Sequence, residues 1–209
     1  MTRILLITGG TSEGSLHTAA LRTAVRFAPA EVTATLYDGL RGLPAFVPGE
    51  QPVPAAVAGL RTEVEAAGAL LFSTPEYAGS LPGSLKNLLD WLVDGGDLSG
   101  KPAAWLSVAA PGDDESALTA LQTALSFGNA RLLRPACVRV PLDPGAVDAQ
   151  GIVTDPQLHR AVQDILQSLL RSAAAPRPRA QPSWQAYSSV FPVVMRRDAA
   201  TPRGWRPPT

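Results

Sequence analysis

Short apolar runs alternate with longer segments of helical periodicity along the first 172 residues. The run at 3–8 ends in Gly9 and Gly10, which is typical of a buried parallel strand that leads into a tight loop. Segment 15–27 spaces its apolar residues three and four apart, which places them on one face of a helix. The alternation predicts strands at 3–8, 31–37, 69–73, 103–109 and 131–140, and helices at 15–27, 54–67, 83–93, 113–127 and 155–170.

Strands that alternate with helices predict an α/β fold, a doubly wound parallel sheet of five strands with helices on both faces. Right-handed crossovers leave only a few strand orders open. In both common doubly wound orders, ligands bind beyond the carboxyl ends of the strands. The segments in which chemistry is expected are therefore 9–15, 74–82 and 109–113.

The composition changes this picture little. Hydrophobic residues make up 45% of the 209 residues, which is enough for a buried core, and no apolar stretch approaches the length that crosses a bilayer. A formal net charge of zero argues against a nucleic-acid or membrane partner. Cys137 is the sole cysteine, so no internal disulfide can form and a cytoplasmic location is expected. Its apolar surroundings favour a buried, inert thiol over a reactive one.

Residues 173–209 differ from the rest and are predicted to be a Pro/Arg-rich extension of a domain at 1–172. Six arginines and a single acid give the extension a charge of +5, which leaves −5 on the domain. Such a composition is typical of a flexible tail. The apolar cluster Trp184–Met195 favours docking on the protein's own core or on a partner subunit, with full disorder as the alternative.

The loop between the first strand and the first helix consists of small or hydroxyl-bearing residues apart from Glu13, with Gly9, Gly10, Thr11, Ser12 and Ser15 as candidates. Small residues allow a close approach of the main chain to a ligand. The N–H groups of a helix start, together with these hydroxyls, can hold a phosphate. The alternative is that Ser15 only caps the helix. The loop carries neither the G-x-G-x-x-G pattern nor the Gly-Lys-Ser/Thr of a P-loop.

The loop at 74–82 leaves the third strand and contains Pro75, Gly79 and Pro82. Proline and glycine restrict such a loop to few conformations, so its N–H groups can be preset. Such a main-chain edge suits a flat heteroaromatic ligand, on which Tyr77 can pack. The alternative is a surface loop without a ligand.

The chain resembles the NADPH-dependent FMN reductases, which include chromate, quinone and azo-dye reductases. Segment 74–92 is similar to the hallmark T-P-E-Y-x-G-S-x-P-G-x-L-K-N-x-x-D-W-L of that family. Segment 9–17 resembles its phosphate loop, G-S-x-R-x-x-S-x-N, and segments 100–103 and 107–112 also fit. The resemblance covers about residues 1–172.

The resemblance implies a flavodoxin-like fold with strand order 2-1-3-4-5, non-covalent FMN, NADPH or NADH as donor, and a homodimer or homotetramer. It implies that the FMN phosphate is bound by Gly9, Gly10, Thr11, Ser12, Ser15, Leu16 and His17. One side of the isoalloxazine would be lined by Pro75, Glu76, Tyr77, Ala78 and Gly79. The other side would be closed by Ser107, Ala109, Pro111 and Gly112. It also implies that Lys86, Asn87, Asp90 and Trp91 serve the helix and a subunit contact.

The chain departs from the family pattern at four positions of these loops. The serine of the phosphate loop is replaced by Gly10, its arginine by Ser12 and its asparagine by His17, and the frequent asparagine of P-E-Y-N-G is Ala78. Loss of the arginine removes a charge-assisted phosphate contact, typically worth about 1.5–3 kcal/mol. FMN would then bind more weakly, or another group supplies the charge. His17 is one candidate, and a plain helix-surface histidine is the alternative.

Two other charged features are expected to play no part in the chemistry. His159 is predicted to face solvent on the last helix. The acidic run 113–115 lies at a helix start, where acids complement the helix dipole. The alternative is an acidic wall that disfavours the extra phosphate of NADPH.

The expected activity is oxidoreduction on the flavin, with no catalytic side chain and no metal. Hydride passes from nicotinamide C4 to flavin N5, and a quinone, azo compound, metal oxyanion or flavin then takes the electrons in a ping-pong cycle. Main-chain N–H groups near 76–80 would stabilise the negative charge of the reduced ring. The alternatives are a binding or assembly protein that has lost tight FMN binding, and a flavin-dependent tailoring enzyme of specialised metabolism.

Overall fold

The computed structural model describes residues 1–12 and 14–174. The strands and helices of this part are β1 (Thr2–Thr8), α1 (Leu16–Arg26), β2 (Val32–Leu36), α2 (Ala55–Ala66), β3 (Ala69–Ser73), α3 (Gly83–Gly95), β4 (Pro102–Ser107), α4 (Glu115–Phe127), β5 (Arg131–Leu132), β6 (Val138–Arg139) and α5 (Pro156–Ala173). The predicted alternation of strand and helix is confirmed, with ends shifted by a few residues.

The sheet is parallel and its strands lie in the order β2-β1-β3-β4-β5, as predicted. In the register of β1 with β3, Thr8 pairs with Ser73. The Gly9 N–H then donates to the Ser73 carbonyl at 2.8 Å. The carboxyl ends of β1 and β3 therefore finish side by side, and their loops start from one edge.

The predicted strand 131–140 is wrong as a continuous element. A short 3-10 helix, Arg134–Ala136, separates β5 from β6. Pro135 lies in this turn, and proline cannot donate to a ladder in a strand interior. Both pieces pair with β4, β5 at its start and β6 at its end, so together they hold the fifth position.

Two apolar layers cover the two faces of the sheet. Side chains alternate along a strand, so Ile4 and Leu6 of β1 pack in one cluster with α1 and α5. Leu5 and Ile7 pack in the other cluster, with α2, α3 and α4. All four side chains are at most 1% exposed. Burial on both faces explains the near-continuous apolar run of β1.

A buried lysine joins α2 to the start of β4. The Lys101 Nζ atom donates to the carbonyls of Val64 and Ala67 at 2.8 and 2.7 Å. These carbonyls close the carboxyl end of α2, where a cation is favoured. Lys101 therefore has a structural role in this chain.

His159 and Cys137 differ from their predictions. His159 is half-buried, stacks on Phe27 with a centroid separation of 4.0 Å, and contacts the Val153 carbonyl at 2.7 Å through Nε2. Its predicted solvent-facing position is therefore wrong. Cys137 is half-buried and follows the 3-10 turn instead of lying in a strand. Burial raises the pKa of its thiol, which keeps it protonated and agrees with an inert role.

Two further predictions concern the C-terminal extension and membrane-spanning segments. The predicted docking of Trp184–Met195 and the tail at 173–209 fall outside the described residues, apart from the last turn of α5. Among helices α1 to α5, none has both the length and the apolar character that a bilayer crossing requires.

Candidate functional site

The loops after β1, β3 and β4 meet at the carboxyl edge of the sheet. Neighbouring parallel strands end on the same side, and β3 lies between the other two. The segments in which the sequence predicts chemistry, 9–15, 74–82 and 109–113, therefore all begin at this edge.

The loop after β1 depends on two glycines without room for a side chain. A Cβ atom on Gly9 would lie 2.1 Å from Thr74 Oγ1, and one on Gly10 would lie 2.4 Å from Ser15 Oγ. The Gly10 N–H donates to Thr8 Oγ1 at 3.1 Å, which fixes the first turn of the loop. The loop after β1 is thereby held directly against the first residue after β3.

Ser15 caps α1. Its Oγ accepts from the Thr18 N–H at 3.4 Å, so the capping alternative is correct for this hydroxyl. By helix geometry, the N–H groups of Leu16 and His17 have no carbonyl partner in a preceding turn. The start of α1 therefore still presents main-chain donors, with the partial positive charge of the helix N-terminus.

A cavity of about 460 Å³ opens beside this loop, between α1 and the carboxyl end of β2. Thr11, Ser12 and Ser15 form one wall, and Arg22 of α1 forms part of another. Arg41 comes from the short 3-10 helix after β2, and its guanidinium donates to the Thr11 carbonyl. The positive charge that the loop lacks at Ser12 is thus present in the cavity, on side chains from other elements.

Tyr37 and Asp38 form the β2 side of the same cavity. Burial, with the charges of Asp38 and Glu63, raises the pKa of the Tyr37 phenol. Its hydroxyl therefore stays protonated and can donate a hydrogen bond. The described lining of the cavity combines hydroxyl donors, guanidinium groups and the Asp38 carboxylate.

His17 lies beneath the loop instead of on the helix surface. It is 8% exposed, and its Nδ1 contacts Ser73 Oγ at 3.0 Å. Ser73 Oγ donates its only hydrogen to the Leu106 carbonyl at 2.7 Å, so Nδ1 of His17 carries the proton in this contact. Burial lowers the pKa of His17 from 6.5 to about 4, against a smaller opposing effect of Asp114. The surface alternative for His17 is therefore wrong, and its imidazole is neutral at pH 7 and does not supply the missing charge; its place among the FMN-binding residues stays a prediction.

The loop after β3 is a tight turn locked by its own main chain. The Tyr77 N–H donates to the Ser80 carbonyl at 2.9 Å, and the Ser80 N–H donates back to the Tyr77 carbonyl at 3.0 Å. Between them Ala78 and Gly79 have φ angles of 50° and 73°. The left-handed region favours asparagine and glycine, which explains the family's asparagine where this chain has Ala78.

Glu76 fastens this turn to the next loop. Its Oε2 accepts from the Ala117 N–H at 3.0 Å, in the first turn of α4. A carboxylate at a helix start is stabilised by the free N–H groups and by the helix dipole. The sequence assigned Glu76 to the flavin ring and gave no sign of this capping role. Tyr77 is 48% exposed, so its ring is accessible to a flat ligand.

The loop after β4 is held by a buried ion pair. Ser107 Oγ donates to Asp114 Oδ2 at 2.6 Å, and Asp114 Oδ1 lies 2.7 Å from Nη1 of Arg139. Arg139 also donates to the Ala110 carbonyl and pairs with Glu115, each at 2.7 Å. Asp114 and Ser107 are fully buried. Ser107 thus offers no free side chain to a ligand, whereas Ala109, Pro111 and Gly112 are at least partly exposed.

These contacts change the interpretation of the acidic run 113–115. Asp114 is the first residue before α4, but its carboxylate serves Ser107 and Arg139 and makes no capping hydrogen bond. Asp114 is buried and Glu115 is paired with Arg139, whereas Asp113 is exposed, so an acidic wall formed by the run stays a prediction. Dipole complementation alone is therefore an incomplete account of the run.

The rest of the hallmark segment holds residues 44–46 against α3. Asn87 accepts from the Phe46 N–H at 2.7 Å and donates to the Pro44 carbonyl at 2.8 Å. The Trp91 indole also donates to Pro44, at 3.0 Å, and is 1% exposed in the single chain. Lys86 and Asp90 form an ion pair one helical turn apart. The helix role predicted for these residues agrees with these contacts, and their subunit contact stays a prediction.

Comparison with known proteins gives consistent results. The model of a family described as NADPH-dependent FMN reductase matches residues 2–143. An NAD(P)H-dependent FMN reductase of Pseudomonas aeruginosa is 34% identical over 172 residues, which cover 80% of this chain and 92% of that protein. A quinone reductase of Escherichia coli is 32% identical over 105 residues, 48% of this chain and 56% of that protein.

A solved structure shares the fold. FerB of Paracoccus denitrificans, described as a flavoenzyme NAD(P)H:(acceptor) oxidoreductase, superposes with a TM-score of 0.70 at 23% identity. The match covers 83% of this chain and 97% of that chain.

Proposed function

This chain belongs to the NADPH-dependent FMN reductase family, and we propose that it passes electrons from NADPH or NADH through FMN to a small quinone-type acceptor. Membership makes it an NAD(P)H-dependent oxidoreductase with FMN as its cofactor. When bound, FMN supplies the redox chemistry, taking hydride at N5 and releasing electrons to the acceptor. The observation that carries the proposal is that the loop after β1, which lines the cavity, also packs at Gly9 against Thr74, where the locked turn after β3 begins.

The phosphate end of FMN fits the residues of this cavity. A dianionic phosphate requires N–H and hydroxyl donors and positive charge. The start of α1 supplies main-chain donors, Thr11 and Ser12 supply hydroxyls, and Arg41 supplies a guanidinium. We assign the phosphate to this cavity.

The ring end fits the turn after β3. The hydrogen bonds of that turn use the N–H groups of Tyr77 and Ser80. The N–H groups of Glu76, Ala78 and Gly79 have no protein acceptor within the described part of the chain. Because the turn is locked, these donors are held in place and would stabilise negative charge on a ring beside them. We assign one side of the ring to 75–79 and the other to 109–112.

The order of events that we propose is ping-pong. The turn at 75–79 is open on its outer side, as the exposure of Tyr77 shows, so one place suits the nicotinamide and then the acceptor. We also propose that a second copy of the chain closes this side, as a homodimer or homotetramer. The quinone reductase relative supports a quinone as acceptor, and the single half-buried cysteine supports a cytoplasmic location.

An absorption experiment tests the function. Apo protein is titrated with FMN, and NADPH is then added without oxygen, followed by a benzoquinone. We expect saturable flavin binding, loss of the visible flavin band with NADPH, and its return with the quinone. Parallel lines in double-reciprocal plots would support ping-pong, and intersecting lines would contradict it. Protein that does not bind FMN at saturation would contradict the function itself.

A further inference from the structure

We infer that Arg41, assisted by Arg22, recognises the phosphate of the flavin and so selects FMN over riboflavin. This inference rests on the proposed function. It concerns two residues outside the phosphate loop, from α1 and from the 3-10 helix after β2.

The loop itself carries no positive side chain at its described positions. Ser12 occupies the position at which the family pattern has arginine, and His17 is buried and neutral. Main-chain N–H groups and hydroxyls leave much of a phosphate's double negative charge uncompensated. A guanidinium within reach of the phosphate would add charge-assisted hydrogen bonds to those of the helix start.

Arg41 is placed to supply it. Its guanidinium donates to the carbonyl of Thr11, the residue beside Ser12, and it lines the cavity with the hydroxyl residues of the loop. The contact with Thr11 takes one donor of a group that has five. The guanidinium is thus positioned by the loop and keeps donors for a second partner.

Arg22 is a weaker second cation. It lies on α1, seven residues after Ser15 and so on nearly the same helix face, and it lines the same cavity. Its Nη1 atom lies beside Gly151, where an added Cβ would be 3.3 Å away, so the guanidinium is at the cavity wall. Among the described residues, neither Arg22 nor Arg41 pairs with a carboxylate within salt-bridge distance. Among the described lining residues, Arg22 and Arg41 stand against the carboxylate of Asp38.

The test compares flavins that differ only in the phosphate. Dissociation constants for FMN and riboflavin are measured by quenching of flavin fluorescence in apo wild type, Arg41→Gln, Arg22→Gln and Arg26→Gln. Arg26 is the matched control, since it is exposed on the same helix and outside the cavity. We expect Arg41→Gln to weaken FMN about 10- to 100-fold and Arg22→Gln by about 3- to 10-fold. Riboflavin affinity should not change, and Arg26→Gln should resemble wild type.

Several results would overturn the inference. One is an FMN affinity that Arg41→Gln leaves unchanged, and another is an equal loss for FMN and riboflavin. Arg41→Lys retains the charge, so FMN affinity between wild type and Arg41→Gln supports the inference and separates lost charge from lost structure. An arginine variant could instead change the preference for NADPH over NADH and leave the ratio of the FMN and riboflavin dissociation constants unchanged. That result would assign the arginines to the extra phosphate of NADPH and contradict the inference. Wild type that binds neither flavin refutes the proposed function first.

Discussion

The carboxyl edge of the sheet has a braced part and an open part. The braced part is 74–80 with 107–115, where a double hydrogen bond, the Glu76 cap and a buried ion pair fix the main chain. The open part is 9–15 with its cavity, where exposed guanidinium groups reach in from other elements. A flat ring needs preset main-chain donors, whereas a phosphate needs charge, and charge can be supplied by long side chains. The two parts of one site therefore tolerate sequence change differently.

Asp114→Ala is the strongest test of the braced part. It removes one of the two carboxylates around Arg139, which keeps Glu115, and leaves the buried Ser107 hydroxyl without its acceptor, so we expect the free energy of unfolding to fall by about 3 kcal/mol. Urea denaturation measures this value. Asp113→Ala is the control, because Asp113 is exposed and should change stability by less than about 0.5 kcal/mol. Equal, small effects of both variants would show that the braced part is not held by the ion pair.

His17, buried beneath the loop after β1, makes the stability of the protein sensitive to acid. Its pKa is about 4 in the folded protein against an ordinary 6.5, so the unfolded chain binds the proton first as pH falls. The contribution of buried, neutral His17 to the free energy of unfolding is fully present above pH 6.5. This contribution decreases by about 3 kcal/mol as the pH falls toward 4.

The check on His17 is a comparison with His17→Gln. The glutamine does not titrate. The free energy of unfolding of wild type relative to that of His17→Gln should therefore decrease as the pH is lowered from 6.5 to 4. Identical pH profiles would contradict a buried neutral histidine.

Gly9→Ala tests the point where the two parts touch. Its Cβ would lie 2.1 Å from the Oγ1 of the buried Thr74, and overpacking of this kind costs about 1–3 kcal/mol. Gly59→Ala is the control, since a Cβ there meets open space on α2 and helix propensity favours alanine. The midpoint temperature of thermal unfolding should be lower in Gly9→Ala than in wild type, and equal or higher in Gly59→Ala. A Gly9→Ala midpoint at or above that of wild type would show that the loops are not in close contact.

Ala78→Gly tests the strain in the locked turn. Alanine is unfavourable at a φ of 50°, so we expect a gain of about 0.5–1 kcal/mol in unfolding free energy. Chemical denaturation measures this quantity. Loss of stability in Ala78→Gly would mean that residue 78 is not in the left-handed region.

The sequence predicted those features that depend on local pattern. Periodicity predicts the alternation of β1 to α4, and the hallmark at 74–92 predicts the loop after β3, because both depend on residues close together in the chain. Contacts between distant segments were not predictable. His17 meets Ser73 across 56 positions, and Arg41 meets Thr11 across 30. Pro135 is a local signal against a continuous strand at 131–140. The prediction of a strand relied on the apolar run around this proline.

A crystal structure of the protein with FMN is the most direct test of the central claim, that the loops after β1 and β3 form one flavin site. We expect the phosphate at the start of α1 within hydrogen-bond reach of Arg41, and the ring against residues 75–79. A phosphate bound elsewhere, or solvent alone in the cavity at saturating FMN, would contradict this claim.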